Sequence, residues 1–210
     1  MRFPSKIGFV FKRNKLLIGV IALTFVSIMT VSTVVAYVIF LTSPDLVSGL
    51  RDIFGTAKGY LAPPPPYTNE LYRLIFLNNI GHFWNPLRAL VWLPFVGAYS
   101  LGYELLLNAI LIGGVASFTT LTRGAVYTVA GLTPHGIIEI PAFILEFAGL
   151  ARWHVTTTKA IYAKLSGRNV DRPLLLEGIK DTMVLSLFSV VLFAVAAYIE
   201  AFVTPRFLGL

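Results

Sequence analysis

The chain has 210 residues and no cysteine; 56% of its residues are hydrophobic and only 13% are charged. A soluble domain is about 45–50% apolar and about 25% charged, so this chain cannot cover itself with water. An ordinary soluble domain, a disordered tail and a disulfide scaffold are excluded, and thiolate metal sites and thiol nucleophiles are excluded with them. The expected fold is all-α: a polytopic transmembrane helical bundle of about five spans, forming a single integral domain over residues 1–210.

The net charge of +7 is placed as a topology signal and not as a nucleic-acid footprint. Arg2, Lys6, Lys12, Arg13 and Lys15 precede the first apolar run, and six more Lys/Arg lie between Arg152 and Lys180. Both blocks flank apolar segments, as the positive-inside rule requires of cytoplasmic ends. No nucleic-acid partner is expected. The lipid bilayer of the cytoplasmic membrane is the expected surrounding, with the N-terminus inside the cell.

A bilayer core about 30 Å thick takes roughly 20 helical residues to cross. Residues 16–41 carry no charge and are too long for the apolar region of a signal peptide; they are the first span. Ser43-Pro44 then reads as a helix start, with a capping serine and proline at the first helical position. Leu46, Val47, Leu50, Ile53 and Phe54 follow helical spacing opposite Asp45, Ser48, Arg51 and Asp52. The result is an amphipathic helix, set on the outer membrane face or packed on the bundle. Four prolines, Pro63 to Pro66, make a stiff spacer of polyproline type. The outer helix and linker together occupy 43–66.

Residues 71–97 are the second candidate span, interrupted by Asn78, Asn79, His82, Asn85 and Arg88. An alternative makes 71–85 interfacial and 86–118 one long helix, giving four spans. Charge favours five: with an inside N-terminus and five spans, 11 of the 17 Lys/Arg (five plus six) lie inside. Gly97 and Gly102 bracket an expected turn into the third span, 101–119. The fourth span is 134–150, with Thr133 as its cap and Pro134 at its first position. A cytoplasmic helical hairpin at 151–182 turns at Ser166-Gly167-Arg168-Asn169 and leads, through a helix start at Asp171 and Pro173, into the fifth span at 183–203.

Ionisable groups inside a membrane cost at least about 2.5–3.5 kcal/mol by insertion scales, so they face protein or water. His135 and Glu139 are four apart and share a helix face, which Ala142 and Glu146 extend. Pro141 removes a backbone donor there, so a kink is expected near Ile137–Ile138. Three uses stand open for the stripe: a mutually satisfied polar network, a proton or ion relay, or a metal site. The last is thin, because a zincin helix brings two histidines and this one brings one. The third span sets Glu104 and Asn108 on one face; Ala109, Gly113 and Ser117 form a stripe of small residues suited to close helix approach. Asn78, Asn79 and His82 belong to a polar half of the second span that must face inward. Glu200 lies near the outer end of the last span and carries less weight. The expected intramembrane polar network is Asn78, Asn79, His82, Glu104, Asn108, His135, Glu139 and Glu146, with no catalytic residue, no metal ligand and no cofactor expected.

These residues resemble a known family. The run PHGIIEIPAFILEFAGL at 134–150, the Asn pair in IFLNN at 75–79, Asn108 and the closing YIEAFVTP at 198–205 are similar to the stage II sporulation protein M family (SpoIIM-like). The family usually has Asn-Gly where Asn108 stands, and here Ala109 replaces the glycine. The resemblance covers about 72–205. It implies a multi-helix integral membrane protein whose namesake in spore formers is a membrane scaffold for peptidoglycan hydrolases during engulfment; many relatives occur in bacteria and archaea that form no spores. The expected function is therefore a non-enzymatic membrane scaffold that self-associates as a dimer or higher homo-oligomer and organises other membrane or envelope proteins. The rival is a transporter or channel lined by His135, Glu139 and Glu146. An intramembrane hydrolase or metalloenzyme would need a nucleophile or full ligand set that the sequence does not supply.

Overall fold

The computed structural model describes the backbone of residues 3–60 and 64–210, and side chains within 7–53 and 64–210. All its regular structure is helical. In chain order it comprises α1 (Phe3–Thr42), α2 (Pro44–Tyr60), α3 (Asn69–Asn79), α4 (Gly81–Trp84), a 3₁₀ turn (Arg88–Trp92), α5 (Val96–Arg123), α6 (Ala125–Leu165), α7 (Arg172–Tyr198), a π-helical turn (Ile199–Val203) and α8 (Thr204–Phe207). Among the described residues, four helical stretches are long and apolar enough to cross a membrane: Ile7–Thr42, Val96–Arg123, Ala125–Leu165 and Arg172–Phe207. The expected span over 71–97 is instead broken into α3, α4 and the 3₁₀ turn. Asn85 turns extended ahead of Pro86 (φ −81°, ψ 120°) and ends α4, because a residue before proline disfavours the helical region.

Two other expected boundaries move. Gly97 and Gly102 do not bracket a turn; both lie inside α5, and Phe95, at φ 66°, makes the turn before it. Thr133-Pro134 does not start a helix. The start is set by Gly124, whose φ of 92° separates α5 from α6 by one residue, and α6 then runs without interruption through Pro134 and Pro141. Prolines in apolar helices are tolerated where neighbouring groups take up the freed carbonyls. The hairpin at the other end of α6 is as expected. Gly167 turns at φ 68°, and the Asp171 carboxylate caps α7 by accepting from the Leu174 N–H at 3.1 Å. In α2, Leu46, Val47, Leu50 and Ile53 lie within the described side chains; Phe54 and Pro63 lie outside them. The described prolines, Pro64 to Pro66, lead into a turn at Tyr67 (φ 65°).

The chain divides into two compact units, and each long helix contributes to both. The first comprises Met1–Phe25, Ile80–Leu106 and Glu139–Phe193. Its core is aromatic. Phe25, Phe147 and Phe193 are fully buried, Phe143 meets Phe193 edge-on at 4.9 Å, and Phe25 stacks on Phe143 at 6.2 Å. Aromatic pairs at these separations contribute about 0.5–1.5 kcal/mol beyond the area they bury. Gly149 and Gly178 let α6 and α7 close: a Cβ at Gly178 would stand 2.1 Å from the Thr156 hydroxyl.

The second unit comprises Val26–Asn79, Leu107–Ile138 and Ala194–Leu210. Here the small-residue stripe of α5 packs against α1. Ser117 donates to the Thr33 carbonyl at 2.7 Å, and Ser32 donates to the Ala109 carbonyl at 3.2 Å. A Cβ at Gly113 would stand 2.7 Å from the Thr33 nitrogen, so only glycine permits this approach.

Candidate functional site: a buried charge cluster

In the first unit, the broken segment after α3 carries His82 into the core. The side chain is fully buried. Its Nδ1 lies 2.8 Å from Glu146 Oε1 on α6, and its Nε2 lies 2.6 Å from Glu104 Oε2 on α5. Arg88, from the 3₁₀ turn, donates to the same Glu104 oxygen at 3.2 Å. The local sequence makes room for this. A Cβ at Gly81 would meet the Arg88 guanidinium at 2.4 Å, so glycine admits the arginine. Trp92 Nε1 donates to the His82 carbonyl at 2.9 Å, and Trp153 Nε1 donates to the Trp92 carbonyl at 2.8 Å. The two indoles, edge to face at 5.8 Å, thereby fix the loop that presents His82.

Charge balance follows from the geometry. A neutral imidazole has one N–H, and two carboxylate oxygens face its two nitrogens. Both contacts are hydrogen bonds if the ring is an imidazolium or if one carboxyl keeps a proton. In the first case His82 and Arg88 carry two positive charges against two negative ones from Glu104 and Glu146, and the cluster is neutral. Neutrality is what an apolar surrounding demands of buried ions. Glu146 Oε2 is buried with no hydrogen-bond partner among the described residues.

A second ionic group lies in the same unit. Arg13 grips Asp181 through two nitrogens, with Nε donating at 2.9 Å, and also pairs with Glu177 at 2.8 Å. Asn14 donates to Asp181 at 2.9 Å, and Arg152 Nε stands 3.5 Å from it. Asp181 is fully buried. Three helices, α1, α6 and α7, thus converge on one carboxylate.

The residues singled out from sequence are divided by the fold. His82, Glu104 and Glu146 come together. His135 does not join them: it lies in the second unit, with Nδ1 3.3 Å from the Thr204 hydroxyl. Glu139 is one turn further along α6. Asn79 is buried, Asn78 is exposed, and Asn108 is half-buried on α5. Ala109, Gly113 and Ser117 serve helix packing as described. Sequence reasoning missed Arg88 as a partner, read Arg13 and Arg152 only as topology markers, and did not single out Asp181. The signal for Arg88 was a charge inside the apolar stretch 71–97; for Asp181 it was an acid directly before an uncharged apolar run.

The family model described as Stage II sporulation protein M matches residues 20–205. The chain belongs to this family. It is also similar, at 30% identity over 122 residues, to an uncharacterised protein of Methanocaldococcus jannaschii. That match covers 55% of this chain and 65% of the relative, so the chain spans less than two thirds of the relative's length. No solved structure matches the chain. Family membership and the four apolar helices agree on a helical membrane protein.

Proposed function

We propose that this SpoIIM-family chain is a non-enzymatic, multi-pass scaffold of the cytoplasmic membrane, with its basic N-terminus inside, that self-associates and organises other membrane or envelope proteins. One observation carries the reading: His82, Glu104, Glu146 and Arg88 are spent on one another in a cluster that ties the α4 segment to α5 and α6. Groups consumed in this way specify packing and register. The connections outside the long helices are also too short to hold a catalytic domain. The test is mild solubilisation of native membranes followed by sizing and identification of what co-purifies. A defined homo-oligomer or a reproducible partner is expected; recovery of the bare monomer overturns the proposal.

A second reading, a transporter or channel, draws on the unpartnered Glu146 Oε2, since a buried acceptor is a place for a proton. It requires flux in proteoliposomes that falls in Glu146→Gln and Glu139→Gln. Flux equal to that of empty vesicles ends it.

A further inference from the structure

In the first unit, α1 and α7 leave a groove between them with a cavity of about 730 Å³, within the range of about 300–1,000 Å³ usual for ligand sites. Its wall is divided by chemistry. Met183, Leu187 and Phe188 of α7, with Ile7 and Val10 of α1, make an apolar trough. Phe11 meets Phe188 edge-on at 5.3 Å and braces that side. Arg13, Glu177, Lys180 and Asp181 line the charged part. The division follows the sequence: Lys180 and Asp181 are the last charges before 182–199, which carries none, so the charged end lies at the membrane–water boundary. That end is not balanced. Arg13 pairs with Asp181 and, at 2.8 Å, with Glu177. Arg152 faces the same two carboxylates, at 3.5 and 3.9 Å. These two cations and two anions cancel. Lys180 is exposed and has no ion pair among the described residues, so it leaves one positive charge in excess.

We infer that the α1–α7 groove binds one anionic phospholipid of the leaflet at this end, with an acyl chain in the trough and the headgroup phosphate at Lys180. An apolar trough beside a single uncompensated cation matches both the amphipathic form and the charge of that molecule. A zwitterionic lipid also covers the trough, but it brings a cation of its own toward Lys180. Lysine suits the task, because its flexible stem lies along apolar surface while the ammonium reaches the headgroup level. The groove is preformed: the planar fork of Arg13 on Asp181 ties α1 to α7, so the lipid does not have to order the wall it binds. A topology marker alone acts differently. It attracts anionic lipid to the whole basic end, and any exposed lysine there then counts as much as Lys180. The inference goes beyond the scaffold reading and stands apart from it, because it concerns a single chain.

The experiment uses the full chain in a neutral detergent, washed free of lipid. Phosphatidylglycerol, phosphatidylcholine and inorganic phosphate are added in separate titrations. Bound lipid is counted by native mass spectrometry, and melting temperature is followed in parallel. One tightly retained phosphatidylglycerol per chain is expected, with a saturable rise in melting temperature that phosphatidylcholine and inorganic phosphate do not match. Lys180→Gln should weaken phosphatidylglycerol binding about fivefold, as the loss of one basic residue near an anionic headgroup does. Lys164→Gln, an exposed lysine of the hairpin, should leave it unchanged. Leu187→Trp, which fills the trough from an exposed position, should weaken both lipids. Equal binding of phosphatidylglycerol and phosphatidylcholine overturns the inference, as does inorganic phosphate that stabilises as well as the lipid. Equal effects of Lys180→Gln and Lys164→Gln, or binding that Leu187→Trp leaves intact, overturn it as well.

Discussion

His82 and Glu146 are 64 positions apart in sequence and meet at 2.8 Å, with both side chains fully buried. The contact joins a four-residue helix to the middle of α6, and it makes each group depend on the other. With His82 as an imidazolium, removing the carboxylate alone leaves His82 and Arg88 facing Glu104 with one positive charge in excess. Breaking a buried ion pair from one side costs about 3–5 kcal/mol. Glu146→Ala should therefore lower the melting temperature in detergent strongly. Glu146→Gln, which keeps a hydrogen-bonding oxygen, should cost less. The double variant His82→Ala/Glu146→Ala should be less damaged than the two single losses added together. Strict additivity across this cycle would show that the pair is not coupled.

The ion group around Asp181 makes a related prediction. Arg13 binds this carboxylate through two nitrogens of its planar fork, which a lysine ammonium cannot reproduce. Arg13→Lys keeps the charge and should still lower stability measurably. Asp181→Asn should cost more, because it leaves Arg13 and Arg152 without the carboxylate on which both converge. Thermal unfolding by size-exclusion fluorescence would rank the two. Equal stability of Arg13→Lys and the parent chain would reduce the contact to simple charge.

The α1–α5 seam can be tested with two adjacent glycines. A Cβ at Gly113 meets backbone atoms of α1 at 2.7–2.9 Å, whereas one at Gly114 meets nothing within 4 Å. Gly113→Ala should force the helices apart at a cost of about 1–3 kcal/mol, the usual range for overpacking. Gly114→Ala should be neutral or stabilising, since glycine inside a helix costs about 0.5–1 kcal/mol relative to alanine. Equal effects at the two positions would mean that α1 and α5 do not approach as described.

Most of the helical architecture was legible from composition and apolar runs, because a membrane permits few backbone solutions and writes them as long stretches. The small-residue stripe was legible for the same reason: Ala109, Gly113 and Ser117 recur at helical spacing. The boundaries were less so. Thr133-Pro134 has the chemistry of a helix start, yet Gly124, nine residues earlier, had already set one. The polar network was half legible. Single-helix spacing put His135, Glu139 and Glu146 on a stripe, but His82 claims Glu146 from a distant segment. No periodicity encodes which helix lies opposite. Glu200 carried little weight because the cavity wall it shares with His135 is set by the fold and not by spacing.

The absence of cysteine allows hydration to be mapped residue by residue with single introduced thiols. Ala142 is fully buried. Gly131 lines the cavity that holds His135 and Glu200, and a Cβ there meets only the Leu208 side chain at ordinary contact distance. Thiols react as thiolates, so labelling by a small, membrane-impermeant reagent requires water at the site. Gly131→Cys should label and Ala142→Cys should not. Labelling at Ala142→Cys would mean that water reaches the α6 core beside Phe143, and would move the balance from scaffold to transport. Failure of Gly131→Cys to label would mean that water does not enter this cavity.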